Sequence, residues 1–230
     1  MISIALIVAG TALALGLWAF LFRRPSEGIW PRTWIAASVL SGWSVAALAL
    51  TRRLDDLLGP WSWTVLAAGL GVGVAWLVAT HIGHGVLCRM VPGFLEQVSD
   101  LYSFREGDRF ATIVGPLSAM GIAEELFFRG LVQDRLGLIG GVAIYTGVQL
   151  VVGKWALTLA ALLGGAVWGL LFWWQGGIVA PVIAHVLWTG TLTLLWPLPG
   201  CGRKPDPADL APLATKDGPA GDRSPAGEAS

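Results

Sequence analysis

The chain has 230 residues, 55% hydrophobic and 13% charged, with zero formal net charge and a mean hydropathy of +0.68. A soluble domain of this length carries about a quarter charged residues, and nothing in the charge balance points to nucleic acid as a partner. The apolar residues come in blocks long enough to cross a bilayer, which takes roughly 20 residues per helix, so the fold class is an all-α polytopic transmembrane bundle.

In chain order the pattern predicts about seven spans, near 2–22, 33–50, 62–88, 111–133, 138–153, 155–174 and 178–196. The first is followed, not preceded, by Arg23 and Arg24, the wrong order for a cleavable signal peptide, so it is expected to be retained. Thirteen Trp against two Tyr fit anchoring at headgroup level. Between the third and fourth spans, charges alternate with Val, Phe, Leu and Tyr at helical spacing, which predicts an interfacial amphipathic helix near 92–108. From about residue 198 the chain is rich in Pro, Gly, Ala and Asp with no apolar periodicity, and a disordered tail is expected over 198–230.

The basic residues set the expected orientation. With the N-terminus outside, eleven Lys and Arg fall on inner segments, and only Arg52, Arg53 and Arg135 fall on outer loops. That asymmetry favours N-out, C-in. Cys88 and Cys201 show neither metal spacing nor a disulfide framework and read as unpaired thiols.

Three charges break the apolar pattern in GIAEELFFRG, residues 121–130. Of the fifteen acidic residues only Glu124 and Glu125 lie well inside a span, and of the fifteen basic ones only Arg129 does. Each lone charge at the bilayer centre costs at least ~2.5–3.5 kcal/mol on insertion scales, so such residues normally face a protein interior or a wet cavity. On a helix Glu125 and Arg129 are i, i+4, about 40° apart, and can pair. Glu124 lies about 140° from Arg129, on the face of Phe128 and Leu131, and is the carboxylate left available.

Two later spans carry candidate partners. GGIVAPVIAHVLWTG places His185 and Thr189 one turn apart on one face, with Pro181 expected to free the Gly177 carbonyl and loosen the helix start. YTGVQ places Tyr145 and Gln149 at i, i+4; read alone, that Gln is interhelical glue. His81 and His84, in ATHIGHG, share a face near the end of the third span. They could bind metal or supply an imidazole, but no acid aligns with them there, and histidines near the headgroups are the commoner case.

In this order, EELFFRG (124–130), YTGVQ (145–149) and GGIVAPVIAHVLWT (176–189) resemble the motifs of the CPBP intramembrane proteases, the CAAX protease and bacteriocin-processing (Abi) family. The resemblance covers about residues 111–196. It divides the chain into N-terminal spans and an interfacial segment (1–110), a CPBP-like core (111–197) and the tail (198–230). Gln149 stands where that family has a second His, and Thr189 where it most often has Asn. The resemblance implies Glu124 as the base that activates a water, with Glu125 held by Arg129. It implies His185, with Thr189, as hydrogen-bond donors to the developing oxyanion. Gln149 can orient water but cannot take up a proton as imidazole can.

The family has been described both as metal-dependent and as glutamate-based without metal. A divalent metal here would find only Glu124 and His185 at the matched positions, against the usual three protein ligands of a catalytic zinc, so no cofactor is expected. The implied function is an intramembrane endopeptidase acting on a membrane-embedded or membrane-proximal peptide, in processing or sorting a terminal peptide of an exported protein. The alternative is an inactive family member that serves as a membrane binding or scaffold protein. Three Lys against abundant Ala, Gly and Arg suggest a GC-rich bacterium, and hence its inner membrane as location, with the lipid bilayer as partner.

Overall fold

The computed structural model describes residues 2–22, 28–102 and 109–199. Every regular element among them is helical. In chain order these are α1 (Ile2–Phe22), α2 (Ile29–Leu50), α3 (Trp63–Met90), the short α4 (Phe94–Tyr102), α5 (Phe110–Glu124), α6 (Asp134–Gln149), α7 (Trp155–Gln175) and α8 (Val179–Gly190). The tail from residue 200, and the 103–108 part of the expected interfacial segment, lie outside the described residues.

Five helical stretches are long and apolar enough to cross a membrane, and Val179–Leu195 is a shorter apolar helix. One of the five, Phe110–Val152, holds both the fourth and the fifth expected spans. Gly137 separates them, with φ 72° and ψ 178°, a backbone open essentially to glycine alone. The chain reverses there. A Cβ on Gly141 would lie 2.7 Å from the Gln133 Cβ, and the Arg129 guanidinium sits 4.7 Å from the Tyr145 ring centroid. The two limbs are therefore an antiparallel hairpin, and the seven apolar stretches of the sequence are all present. The protein is an integral membrane protein of the all-α class.

Connections gather at two ends of the bundle. At one end, Arg53 donates to Asp134 at 2.6 Å and the Ile178 N–H donates to the Leu57 carbonyl at 3.1 Å. The Gly-Gly pair that precedes α8 belongs to this end. Gly176 closes α7 at φ 69°, and a Cβ on Gly177 would fall 2.2 Å from the Leu58 carbonyl oxygen. Val179 begins α8, so Pro181 sits in the first turn, where an N–H has no intrahelical acceptor to lose. The expected loosening by Pro181 therefore does not arise.

At the other end, α4 turns Phe94 and Val98 inward against Ala156, Leu87 and Val91, as an amphipathic helix should. Lys154 pairs with Asp100 and ties α4 to the start of α7. Leu198 and Pro199 return to this end: Leu198 joins the Phe94 cluster, and the Pro199 carbonyl lies 2.7 Å from His84 Nε2. Cys88 is disulfide-bonded, not the unpaired thiol its spacing suggested. The returning chain meets this end of α3, a proximity that separation in sequence concealed.

In lipid, helices gain little from apolar burial against one another and associate through close packing of small residues. The contact of α3 with α8 shows this. Gly69 and Gly73 lie one turn apart, and a Cβ on either would come within 2.9 Å of the Ala180 carbonyl or 3.1 Å of the Ala184 Cα. That close approach fixes the face of α8 that carries His185. Phe127 and Phe128, fully buried among Ala14, Trp18, Leu40 and Leu48, lock the α5 limb against α1 and α2.

Candidate active site

The helix does not remain α-helical through the acidic motif. Beyond Glu124 it widens into a π-helix over Glu125–Gln133 before the Gly137 reversal. Such widened turns recur at functional sites because they shift the side chains that follow relative to those before. Glu125 and Arg129 still pair: Arg129 Nε lies 3.2 Å from Glu125 Oε2, with both side chains almost fully buried. Arg129 also donates through NH2 to the Gly165 carbonyl on α7 at 3.2 Å. Residue 165 admits no side chain, since a Cβ would lie 2.9 Å from the Tyr145 ring. One turn on, Gln133 donates to the Gly169 carbonyl at 2.7 Å, and a Cβ there would meet the Gln133 Oε1 at the same distance.

Glu124 is separate from that ion pair, as the angular argument expects, but it is not free. The Tyr145 hydroxyl donates to its Oε2 at 2.6 Å. His185 sits between the two acids. Its Nδ1 lies 2.8 Å from Glu125 Oε1, and its Nε2 lies 4.0 Å from Glu124 Oε2. The His–Glu hydrogen bond thus goes to the acid that Arg129 already holds, and the second ring nitrogen faces the other. With Nδ1 donating to Glu125, His185 can donate at Nε2 only as an imidazolium. In that state two carboxylates, one guanidinium and one imidazolium balance in charge inside the bundle, the condition under which buried ions are tolerated.

Trp168 of α7 stacks on the His185 ring, with centroids 5.6 Å apart and planes at 18°, and holds it between α7 and α8. Thr189 Oγ1 is buried without a hydrogen-bond partner. Gln149 Oε1 accepts from the Trp18 indole N–H at 2.8 Å, so in this respect it ties α6 to α1.

Glu124, Tyr145, Gln149, His185 and Thr189 all line one cavity of about 410 Å³. It continues past Trp76 and Thr80 to Phe94, Val98, Tyr102 and Leu198, at the end of the bundle that carries α4. Its wall is mainly apolar, with Glu124 as its one carboxylate, the pattern of a site that orients an apolar guest by a few hydrogen bonds.

All six residues singled out from the sequence are buried or line this cavity, and they come from three helical segments. His84 lines the same cavity from α3, but neither it nor His81 is bonded to the acids. His81 Nδ1 bonds the Leu77 carbonyl at 3.0 Å and its ring stacks on Trp196, while His84 is held by Pro199. Among the described residues no group of three His, Cys, Asp or Glu side chains is placed to hold a metal. Glu124 and His185 supply two donors, and Glu125 is committed to Arg129 and His185. The residues present do not make up a catalytic metal's set of three.

The sequence reading passed over Tyr145 as a partner of Glu124, and Trp18, Gly165 and Trp168 altogether. Tyr145 carried a signal, since it shares a helix face with Gln149; the others carried none that composition or spacing reveals.

No curated protein and no solved structure matches the chain. Residues 107–191 match the family model of the Rce1-like proteins, described as type II CAAX prenyl endopeptidase Rce1-like. The match covers less than half of the chain, and it spans all three segments that meet around Glu124. Over that stretch the chain is similar to the Rce1-like proteins, consistent with the CPBP proteases whose motifs it resembles.

Proposed function

We propose that the chain is an intramembrane endopeptidase in which Glu124 activates water against a peptide bond of a membrane-associated substrate. The observation that carries this reading is the placement of Glu124 Oε2, 4.0 Å from His185 Nε2, in the wall of a mainly apolar cavity. Glu124 takes a proton from water as the water oxygen attacks the carbonyl carbon. The charge that develops on the carbonyl oxygen is met by donors from His185 Nε2–H and Thr189 Oγ1–H. As the C–N bond breaks, Glu124 returns the proton to the leaving amine. Glu125 and Arg129 orient the imidazole and do not touch the substrate.

The family description names a prenyl endopeptidase, and the apolar length of the cavity suits a substrate anchored by a lipid or by an apolar helix. For this chain we favour a terminal peptide of an exported protein. With N-out, C-in topology in a bacterial inner membrane, the cavity mouth beside α4 faces the cytoplasm. The scaffold reading draws on one observation, the engagement of Gln149 by Trp18.

The test is cleavage of a co-expressed membrane substrate, with the product of the neighbouring gene as the first choice. Wild type is expected to cleave, and Glu124→Gln and His185→Ala are expected to abolish cleavage. Persistent cleavage by Glu124→Gln would remove the assigned base. An inert wild type that gains activity through Gln149→His would establish the scaffold reading.

A further inference from the structure

The residue that departs most from the motif, Gln149, is held by a residue outside the matched segment. Trp18 of α1 is 2% exposed, and its ring meets Phe128 edge-on at 6.4 Å. An indole N–H only donates, so the Gln149 atom that faces it at 2.8 Å is the carbonyl oxygen. This contact settles an amide orientation that coordinates alone leave ambiguous. With Oε1 engaged on α1, the amide Nε2 is the polar atom that Gln149 has left. It has no partner among the described residues, and Gln149 lines the cavity together with Glu124, His185 and Thr189. Tyr145, one turn earlier on the same face of α6, is the residue that bonds Glu124.

We propose that Trp18 is a positioning residue that fixes Gln149 as a hydrogen-bond donor to the substrate carbonyl. The inference rests on the peptidase reading and deepens it. Trp18 demands an acceptor at position 149, and two side chains meet that demand while keeping an N–H for the cavity. Gln accepts with Oε1 and donates with Nε2; a neutral imidazole accepts with one ring nitrogen and donates with the other. At this site Gln and His are interchangeable as donors, though not as proton acceptors. Position 149 therefore contributes to oxyanion binding, and Glu124 carries the proton transfer alone.

The experiment uses the full chain in liposomes with a membrane-anchored, quenched-fluorescent peptide as probe, and thermal unfolding of each variant as the control for folding. Gln149→Met, which keeps the volume but has no N–H, is expected to lower kcat about 100-fold with KM within about 2-fold, the signature of a lost transition-state donor. Trp18→Phe is expected to lower kcat about 10-fold, and the double variant to be no slower than Gln149→Met, because Trp18 acts only through Gln149. Gln149→His is expected to recover at least about 10-fold of the kcat lost in Gln149→Met, with the indole ¹⁵N–H resonance assigned to Trp18 still shifted as in wild type. Losses that multiply in the double variant, an unchanged kcat in Gln149→Met, or an inactive but folded Gln149→His would each overturn the proposal and leave the peptidase reading standing. An inert wild type would overturn both.

Discussion

His185 on α8 and the His81–His84 pair on α3 lie on helices packed directly against each other, yet their surroundings differ in kind. Both nitrogens of His185 address carboxylates on another helix, and its ring is clamped by Trp168. His81 spends Nδ1 on its own helix, and His84 spends Nε2 on the backbone of Pro199. Spacing within a helix is as regular in the pair as in His185 and Thr189. What separates them is convergence: a polar side chain in a span becomes chemically useful where a second helix brings charge to it and a cavity leaves one atom unpaired. Thr189 Oγ1 and Gln149 Nε2 are such atoms; His81 also keeps a buried Nε2 without a partner, but no carboxylate is bonded to it or to His84 among the described residues.

That contrast can be broken or sharpened by substitution. The largest effect is expected from Glu124→Gln, a loss of activity of about 10²- to 10⁴-fold, the range for removal of a general base, with thermal stability nearly unchanged. Initial rates on the probe peptide and an unfolding curve in detergent check both halves. Arg129→Met comes next. It leaves Glu125 without its buried cation and is expected to destabilise the protein by about 3–5 kcal/mol, read as a lower unfolding midpoint. Gly165→Ala forces a methyl against the Tyr145 ring and is expected to cost about 1–3 kcal/mol. It should also lower kcat, because Tyr145 holds Glu124. Smallest is His81→Ala: activity within about 2-fold of wild type, and about 0.5–1.5 kcal/mol lost with the Trp196 stacking. A large activity loss in His81→Ala with stability intact would erase the distinction between the two helices.

The apolar stretches are legible in the sequence because hydropathy and length speak directly to a bilayer. The Glu125–Arg129 pair is legible because i, i+4 geometry is local, and it persists even where the helix widens to π. The amphipathic α4 is legible for the same reason, since Phe94 and Val98 are one turn apart. What resists reading is the choice among partners on different helices. Tyr145 rather than open cavity meets Glu124, and Glu125 rather than Glu124 takes His185 Nδ1. Trp18 reaches Gln149 across 131 positions of sequence. Each of these depends on helix rotation, set by contacts such as Gly69 and Gly73 against α8, and no pattern in one helix encodes the rotation of another. The Gly137 reversal falls between these cases: its glycine is visible, and its effect of folding two motif segments into one hairpin is not.

Helix α7 supplies none of the groups assigned to the chemistry, yet Gly165 and Gly169 offer bare carbonyls to Arg129 and Gln133 at successive turns. Sliding α7 by one turn, about 5.4 Å, would set Ala161 opposite Arg129 or Trp173 opposite Gln133, a side chain where the close approach needs a glycine. The helix therefore behaves as a ratchet bar with a single engaged notch. Under the proposed function, opening for substrate then falls to α4 and the adjacent end of α3, whose polar ties, Lys154–Asp100 among them, lie away from the acid cluster.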